Sequence, residues 1–169
     1  MSDLPDEVRS WLGQAVVVVE HVVTVERGLW TNFSAAIGDG NPLYWDHAIA
    51  RHHTGAVIAP PAMLPSWAIE HEWYPGRTAP GLRTLELHFM LKEALALPHG
   101  IVTEVELEFH EPVRAGDSAR AEQVLREVGA ERMTRLGPGR NWTIDVIYRR
   151  QDGALLGVQT LRFLSYRKG

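Results

Sequence analysis

The clearest pattern along the chain is an alternation of apolar and polar residues over positions 101–109. One parity carries Ile101, Thr103, Val105, Leu107 and Phe109. A period of two places one set of side chains on one face of a sheet, so this pattern predicts a β-strand. The other segments that the sequence predicts as strands are residues 14–25, 85–91, 118–128, 141–149 and 155–167.

Helical spacing of apolar residues is found in the first half of the chain. Residues 26–37 predict an amphipathic helix that ends at Gly38. Its apolar residues are Leu29, Trp30, Phe33, Ala36 and Ile37. Residues 3–12 and 46–53 predict two short helices, the first capped by Ser2 or Asp3 and the second by Asp46.

Two prolines mark the start of a further helix. Pro60 and Pro61 follow the short apolar run 55–59, and they fit a first helical turn, where a missing N–H costs nothing. Residues 62–71 are apolar enough to form a buried helix behind them. Residues 73–84, with two Pro and two Gly, predict a loop.

The order of these elements sets the fold class. Helices come early and strands late, which indicates an α+β fold, with an antiparallel sheet wrapped around one central helix. The 169 residues suffice for a single domain, and we assign 1–169 to it. A single sheet leaves edges and one face uncovered, so a dimer is expected.

Composition excludes several classes of function. The net charge is −4 and no long run of Lys or Arg is present, which argues against a nucleic-acid partner. The chain has no cysteine, so disulfides and thiolate metal sites are excluded. The acidic N-terminus does not resemble a signal peptide, and the apolar run 15–19 is too short to span a membrane. We therefore expect a cytoplasmic protein.

The most informative chemistry lies in residues 38–42, with the sequence GDGNP. Asp39 is either a catalytic acid or base, or a turn residue whose carboxylate bonds its own backbone. Asn41 is either a site-shaping residue or the opening residue of an Asn-Pro turn. A carboxylate here, followed by a helix that begins at Pro60 and Pro61, predicts a site in which the carboxylate works beside exposed backbone amides.

Residues 33–44 with the downstream Ala59-Pro60-Pro61 resemble the MaoC-like hydratases and dehydratases, which have a hotdog fold. The turn PVRAGD at 112–117 and the hairpin at Gly153 agree with this resemblance, which covers roughly residues 16–166. The pattern, including TRLGPG at 134–139, is most similar to the branch found in two-component acyl-CoA dehydratases that act on fatty acyl chains or steroid side chains.

The family motif reads Asp-x-Asn-Pro-x-His, and the resemblance implies that its Asp and His hold a water between them. Asp39, Asn41 and Pro42 match, but Tyr44 occupies the His position. A phenol with an ordinary pKa near 10 is a poor base at neutral pH, whereas imidazole both accepts and donates a proton. Three interpretations of Tyr44 follow. It marks an inactive site in a subunit whose partner supplies the Asp–His pair, it acts as a general acid itself, or it only packs.

The resemblance also implies a substrate-binding role for the region after Ala59. Pro60 and Pro61 start the helix, and the amides of Ala62 and Met63 are the expected donors to a thioester oxygen. The alternative for these amides is a helix start without a ligand. Trp67 is expected to line an acyl tunnel, with a core or dimer contact as the alternative. The arginines considered for the phosphates of a coenzyme A or carrier-protein arm are Arg114, Arg135 and Arg140, with solvated surface positions as the alternative.

The resemblance therefore implies a hydratase or dehydratase of acyl thioesters in lipid, steroid or polyketide-type metabolism. Catalysis is assigned to Asp39, Asn41 and Tyr44, without metal or redox cofactor, on a coenzyme A or carrier-protein thioester. Because of Tyr44, the chain is expected to work as a homodimer or, preferably, a heterodimer with a second MaoC-like subunit. The alternatives are a non-catalytic acyl-CoA-binding hotdog protein and a thioesterase. The histidines near the motif, His47, His52 and His53, are interpreted as surface residues, with a catalytic role for one of them as the alternative.

Overall fold

The computed structural model describes residues 3–20, 23–69, 71, 73–78 and 83–168, and it has the expected α+β order. Its helices are α1 (Asp6–Trp11), α2 (Arg27–Ile37), α3 (Pro42–Trp45), α4 (His47–Thr54), a 3₁₀ helix (Pro61–Ala68) and α5 (Glu86–Ala94). Its strands are β1 (Ala15–Val19), β2 (His99–Phe109), β3 (Ala119–Val128), β4 (Arg132–Thr134), β5 (Gly137–Arg150) and β6 (Leu155–Tyr166).

The strands form one antiparallel sheet in the order β1-β3-β5-β6-β2, and the short β4 pairs with β5. Opposite residues of neighbouring strands point to the same face of the sheet. Three rows on the inner face cross β5, β6 and β2: Trp142, Phe163 and Val102; Ile144, Leu161 and Val105; Tyr148, Gly157 and Phe109. The members of these rows on β5 and β6 are buried, which makes the two strands the centre of the core.

A short 3₁₀ helix covers this centre where the sequence predicts a buried helix over residues 62–71. It packs on β3, β5 and β6, and it buries Met63, Leu64, Trp67 and Ala68. Pro61 begins the helix and Pro65 lies inside it, which removes backbone N–H donors and favours the tighter, shorter form. Leu64 packs directly on the backbone of β6, since a Cβ at Gly157 would lie 2.6 Å from Leu64 Cδ2.

The predicted strand over residues 85–91 is wrong, because this segment begins helix α5. The apolar residues alternate, yet Leu87, His88 and Leu91 are buried together, at the spacing of one helical face. Leu85 precedes the helix in the left-handed region, with φ 62°. Arg83 just before it bonds the carboxylate of Glu86 through two nitrogens and its backbone N–H, which fixes the first turn.

Other predicted elements hold with altered ends. Helices α2 and α4 are confirmed, and Asp46 caps α4 by accepting from the N–H groups of Ala48 and Ile49. Helix α1 is capped by Pro5 rather than by Asp3; Ser2 lies outside the described residues. The strand predicted over 14–25 is shortened to β1. Several positions of the predicted segments lie outside the described residues: 21 and 22 in segment 14–25, 70 in segment 62–71, and 79–82 in segment 73–84. None of the described helices is long and apolar enough to cross a membrane.

Candidate active site

The loop between α2 and α3 holds the carboxylate of the GDGNP sequence. Gly38 ends α2 in the left-handed region, with φ 71°, which lets the chain reverse and the N–H of Asp39 bond the Ser34 carbonyl at 2.8 Å. Asp39 Oδ1 accepts the N–H of Asn41 at 3.0 Å. Asn41 Oδ1 in turn accepts the N–H of Leu43 at 3.1 Å and caps α3. Both side chains therefore shape the turn through hydrogen bonds to backbone N–H groups.

Tyr44 lies beside these two residues with its side chain buried. Burial raises the pKa of its phenol, and the negative charge of Asp39 raises it further, while a hydrogen bond with the Asn41 side chain acts in the opposite direction. The net shift is upward, so the phenol is protonated at neutral pH. The structure thus brings together the three residues to which the sequence assigns catalysis, with a neutral phenol in place of an imidazole.

Two tryptophans hold this cluster in place. Trp30 of α2 donates its indole N–H to the Tyr44 carbonyl at 3.3 Å, and Trp45 donates to the Asp39 carbonyl at 2.8 Å. Asp39 is half-buried and lines an open hollow that also includes Ser34 and Pro42. Ser34 is fully buried, and its Oγ has no hydrogen-bond partner in the described part of the chain.

Sequence reasoning missed Ser34 as part of this hollow. The available signal was its place five residues before Asp39 on the helix that Gly38 ends, which puts it next to the turn that carries the carboxylate. A buried hydroxyl without a partner is costly, so the unpaired Ser34 hydroxyl is an exception among the buried polar groups next to the Asp39 turn.

The PVRAGD turn and α3 together position the start of the 3₁₀ helix. Ala59 donates its N–H to the Val113 carbonyl at 2.8 Å, and Ile58 donates to the Leu43 carbonyl at 3.2 Å. Gly116 at φ 87° closes the turn and donates to the Val25 carbonyl at 2.9 Å, next to the beginning of α2. The PVRAGD turn therefore holds both the segment before the 3₁₀ helix, through Ala59, and the segment before α2, through Val25.

The predicted binding residues have different surroundings. The N–H of Met63 bonds the Pro60 carbonyl at 3.0 Å, so this amide is used within the 3₁₀ turn, while Ala62 is exposed. Trp67 is buried in the core at 2% exposure, and its indole N–H lacks a partner among the described residues. Their contact with a substrate stays a prediction.

Pro61 lines an apolar hollow of about 270 Å³ between the 3₁₀ helix and the end of β2. Ala59 and Leu64 contribute one wall, and Phe109 and His110 contribute another. Sequence reasoning did not place Phe109 and His110 here, because they are distant in the chain and no motif joins them to Ala59. Asp39 lines a different hollow of this chain, so its meeting with these amides at one thioester also stays a prediction.

The histidines after the motif are exposed, as interpreted. His47 Nε2 lies 2.6 Å from a guanidinium nitrogen of Arg27, and the rings of His52 and His53 contact each other edge to face. Arg140, one of the arginines considered for phosphate, is instead buried and paired with Asp3.

Comparison with known proteins places the chain among dehydratases. Residues 10–156 match the family described as the FAS1-like dehydratase domain region. A probable enoyl-CoA hydratase alpha subunit from Thermomonospora curvata is 33% identical over 137 residues, which are 78% of this chain and 42% of that protein. The chain thus spans less than half the length of this relative.

Solved structures show a similar fold at lower identity. One chain of the ChsH1-ChsH2 complex from Mycobacterium tuberculosis is similar with a TM-score of 0.74 at 22% identity, over 96% of this chain and 93% of that chain. A MaoC-like dehydratase from Rhodospirillum rubrum is similar with a TM-score of 0.57 at 18% identity, over 87% of this chain and 88% of that chain. The arrangement of one sheet around a central helix is therefore shared with MaoC-like proteins.

Proposed function

This chain belongs to the FAS1-like dehydratase domain family and has the hotdog fold of MaoC-like dehydratases, and from that premise we propose that it is one subunit of a heteromeric acyl-thioester hydratase or dehydratase. The substrate class that we propose is a trans-2-enoyl or 3-hydroxyacyl thioester of lipid, steroid or polyketide-type metabolism. In the hydration direction, water oxygen bonds to C3, a base takes one proton of that water, and C2 receives a proton. Dehydration reverses these steps.

Tyr44 is the observation that carries the heteromeric assignment. Hydration needs a group that takes a proton from water and a group that returns one to C2. Asp39 is a suitable carboxylate, and its Oδ2 has no hydrogen-bond partner among the described residues, while Oδ1 bonds Asn41. The Tyr44 phenol, with its raised pKa, donates a hydrogen bond but does not serve as the base. We therefore infer that a second subunit supplies the imidazole, and we keep Asp39 as the candidate carboxylate of this chain.

The exposed inner face of β2 supports the same conclusion. Val102, Val105 and Phe109 are 48, 50 and 45% exposed, although the residues beside them on β6 are buried. A second subunit that covers this face removes apolar surface from water and brings its own side chains to the hollow at Pro61. The relative from Thermomonospora curvata is named as an alpha subunit, and the similar chain from Mycobacterium tuberculosis belongs to a two-protein complex; both names agree with a two-subunit enzyme.

A second candidate function rests on the same substitution. A non-catalytic hotdog protein that binds acyl thioesters also accounts for a buried Tyr44 in the motif. It differs from the first candidate in predicting that no partner confers turnover that depends on Asp39. A thioesterase, in which Asp39 activates water at the thioester carbonyl, is the third outcome of the same assay.

The test is an assay of crotonyl-CoA and longer enoyl-CoAs with the purified chain, alone and with a candidate partner, a MaoC-like chain that carries an intact Asp-x-Asn-Pro-x-His motif. Loss of the conjugated-thioester absorbance without thiol release, only in the mixture, supports the proposal. Thiol release indicates a thioesterase. No reaction in either sample supports the binding protein and overturns the hydratase assignment.

Two variants then locate the chemistry. Asp39→Asn preserves the size of the side chain and removes its negative charge, so we expect the activity of the mixture to fall at least a hundredfold if this carboxylate acts as acid or base. Tyr44→Phe keeps the ring and removes the hydroxyl. An unchanged rate in Tyr44→Phe assigns Tyr44 to packing, whereas a loss comparable to that of Asp39→Asn assigns it to proton donation.

A further inference from the structure

A third hollow, of about 290 Å³, is lined by three arginines and a histidine. Its walls carry Arg27, His47, Arg51 and Arg114, together with Trp30, Ala115 and the chain around Gly55. No carboxylate side chain lines it. In a chain with net charge −4, this concentration of one sign of charge at one point is unexpected from composition.

Three separate segments bring these groups together. Arg27 begins α2, while His47 and Arg51 lie one turn apart on α4 and therefore share a helix face. Arg114 comes from the PVRAGD turn and donates a guanidinium N–H to the Thr54 carbonyl, at the end of α4, at 2.9 Å. The hollow is thus assembled by tertiary structure from residues far apart in the chain.

The guanidinium groups are positioned by backbone carbonyls and by the imidazole. Arg27 donates to the Trp45 carbonyl at 3.0 Å, and its other terminal nitrogen lies 2.6 Å from His47 Nε2. A guanidinium only donates hydrogen bonds, so His47 Nε2 is the acceptor of this contact. The nearby carboxylate of Asp117 is used by the backbone N–H of Arg114, which it accepts at 2.8 Å.

Most other arginines of the chain are neutralised, and these are not. Arginines with a carboxylate within 4.0 Å are Arg9, Arg83, Arg120, Arg126, Arg140, Arg149, Arg150, Arg162 and Arg167. Arg27, Arg51 and Arg114 have no such ion pair with any described residue. A guanidinium that lacks a carboxylate keeps its planar set of donors available, and these match the oxygens of a phosphate group.

We propose that this hollow binds the phosphate groups of coenzyme A and so makes the thioester substrate a coenzyme A ester; this assignment rests on the proposed function. Three guanidinium groups around one compact hollow suit a small, multiply charged phosphate ester. An acyl carrier protein presents its charges over a broad surface, for which a 290 Å³ hollow is a poor fit.

Helix α3 connects the hollow to the catalytic cluster. The Trp45 carbonyl accepts from Arg27, and the Trp45 indole N–H donates to the Asp39 carbonyl. Trp30 lines the hollow and donates to the Tyr44 carbonyl. The phosphate-binding hollow and the Asp39 cluster therefore both contact a helix of only four residues, which places them on one short path along the surface.

The test is calorimetric binding of free coenzyme A to the full chain, which needs no turnover. Arg51→Gln is the test variant, because Arg51 is exposed and makes no hydrogen bond with other described residues. Arg132→Gln is the matched control, an exposed arginine of β4 whose guanidinium donates to the side-chain oxygen of Asn141 and does not line the hollow. We expect the dissociation constant to rise about tenfold or more in Arg51→Gln, as for loss of one charged hydrogen bond, and to stay unchanged in Arg132→Gln.

Further ligands identify the source of the phosphate. Pantetheine, which lacks phosphate, should bind wild type and Arg51→Gln alike, and inorganic phosphate should compete only at far higher concentration than coenzyme A. Competition by phosphate at equal concentration overturns the assignment to coenzyme A. Absence of coenzyme A binding also overturns the proposal, and binding of an acyl carrier protein in its place, weakened by Arg51→Gln, assigns the hollow to that protein.

The result is separable from the fate of the proposed function. If coenzyme A binds and neither variant weakens it, the hollow is not the binding site, whatever the enzyme does. If Arg51→Gln alone weakens binding but no subunit mixture hydrates an enoyl-CoA, the hollow stands and the hydratase assignment falls. Circular dichroism of both variants checks that the fold is retained.

Discussion

Strands β5 and β2 flank β6 on its two sides, yet their residues on the inner face of the sheet are covered very differently. Ile144 of β5 is fully buried, Leu161 beside it on β6 is 4% exposed, and Val105 on the far side of Leu161 is 50% exposed. The 3₁₀ helix packs on β3, β5 and β6 but leaves the inner face of β2 open. A regular alternation therefore identifies a strand without saying what covers it.

The largest expected effect separates these two regions by stability. Phe163→Ala removes a buried ring from the central strands, and we expect it to lower the free energy of unfolding by about 4 kcal/mol. Val102→Ala, its neighbour on β2, should cost less than about 1 kcal/mol in the isolated chain, because Val102 is 48% exposed. Urea unfolding of both variants measures the difference, and equal losses would mean that β2 is covered in the monomer.

A pH titration tests the contribution of His88, which lies next to Phe163 in the same core, to the stability of the chain. Burial, aided by the charge of Lys92, lowers the pKa of His88 to about 4; His88 stacks on Phe163 and accepts the indole N–H of Trp142. The unfolded chain binds this proton below about pH 6.5 and the folded chain only below about pH 4. The contribution of His88 to the free energy of unfolding is thus fully present above pH 6.5, and it falls by about 3 kcal/mol as the pH drops to 4.

His88→Gln is the control for that titration, because it removes the titrating group and keeps a hydrogen-bond acceptor for Trp142. The stability lost between pH 6.5 and pH 4 should shrink by most of the amount that His88 contributes. If wild type and variant lose stability in parallel over this window, His88 is not the group responsible.

The open face of β2 is tested by association. Val105→Asp places a carboxylate where a second subunit is proposed to pack, and we expect it to weaken subunit association by at least about 2 kcal/mol. The monomer should lose no more than about 1 kcal/mol, since the new charge remains in water. Sedimentation of the subunit mixture measures the first quantity. Unaltered association would place the partner on another surface.

The smallest effect is expected on the outer face of β2. Arg162 of β6 forms exposed ion pairs with Glu104 and Glu106, and such pairs contribute little in water. Arg162→Gln should therefore change the free energy of unfolding by about 0.5 kcal/mol or less, and association hardly at all. A larger loss of association would move the partner contact from the inner to the outer face.

Local chemistry in the sequence predicted most of the fold. Gly38, Asp46 and the Pro60-Pro61 pair mark real element ends, since each acts through its own backbone or a neighbouring N–H. The strand prediction for residues 85–91 is wrong because alternation and helical spacing coincide in a short apolar run. Only the packing of α5 against β1 and β3 selects the helix. The central helix is short because Pro61 and Pro65 lack the N–H donors that a longer α-helix needs.

The site was predictable where it is local and not where it is assembled. Asp39, Asn41 and Tyr44 lie within six residues, so their cluster follows from one turn and one short helix. The hollow at Arg27, Arg51 and Arg114 is formed by three segments that are distant in the sequence, so no residue spacing predicts it. Similarly, the sequence does not predict that Val105 is exposed, because its exposure depends on where the helices end.

The central claim is that this chain lacks one member of the proton-transferring pair and obtains it from a second subunit. The most direct measurement is the initial rate of crotonyl-CoA hydration at a fixed concentration of this chain, titrated with a candidate MaoC-like partner that carries the intact Asp-x-Asn-Pro-x-His motif. We predict no rate above the uncatalysed reaction without the second subunit, then a linear rise to a plateau at one-to-one stoichiometry. Full turnover by either chain alone would contradict the claim.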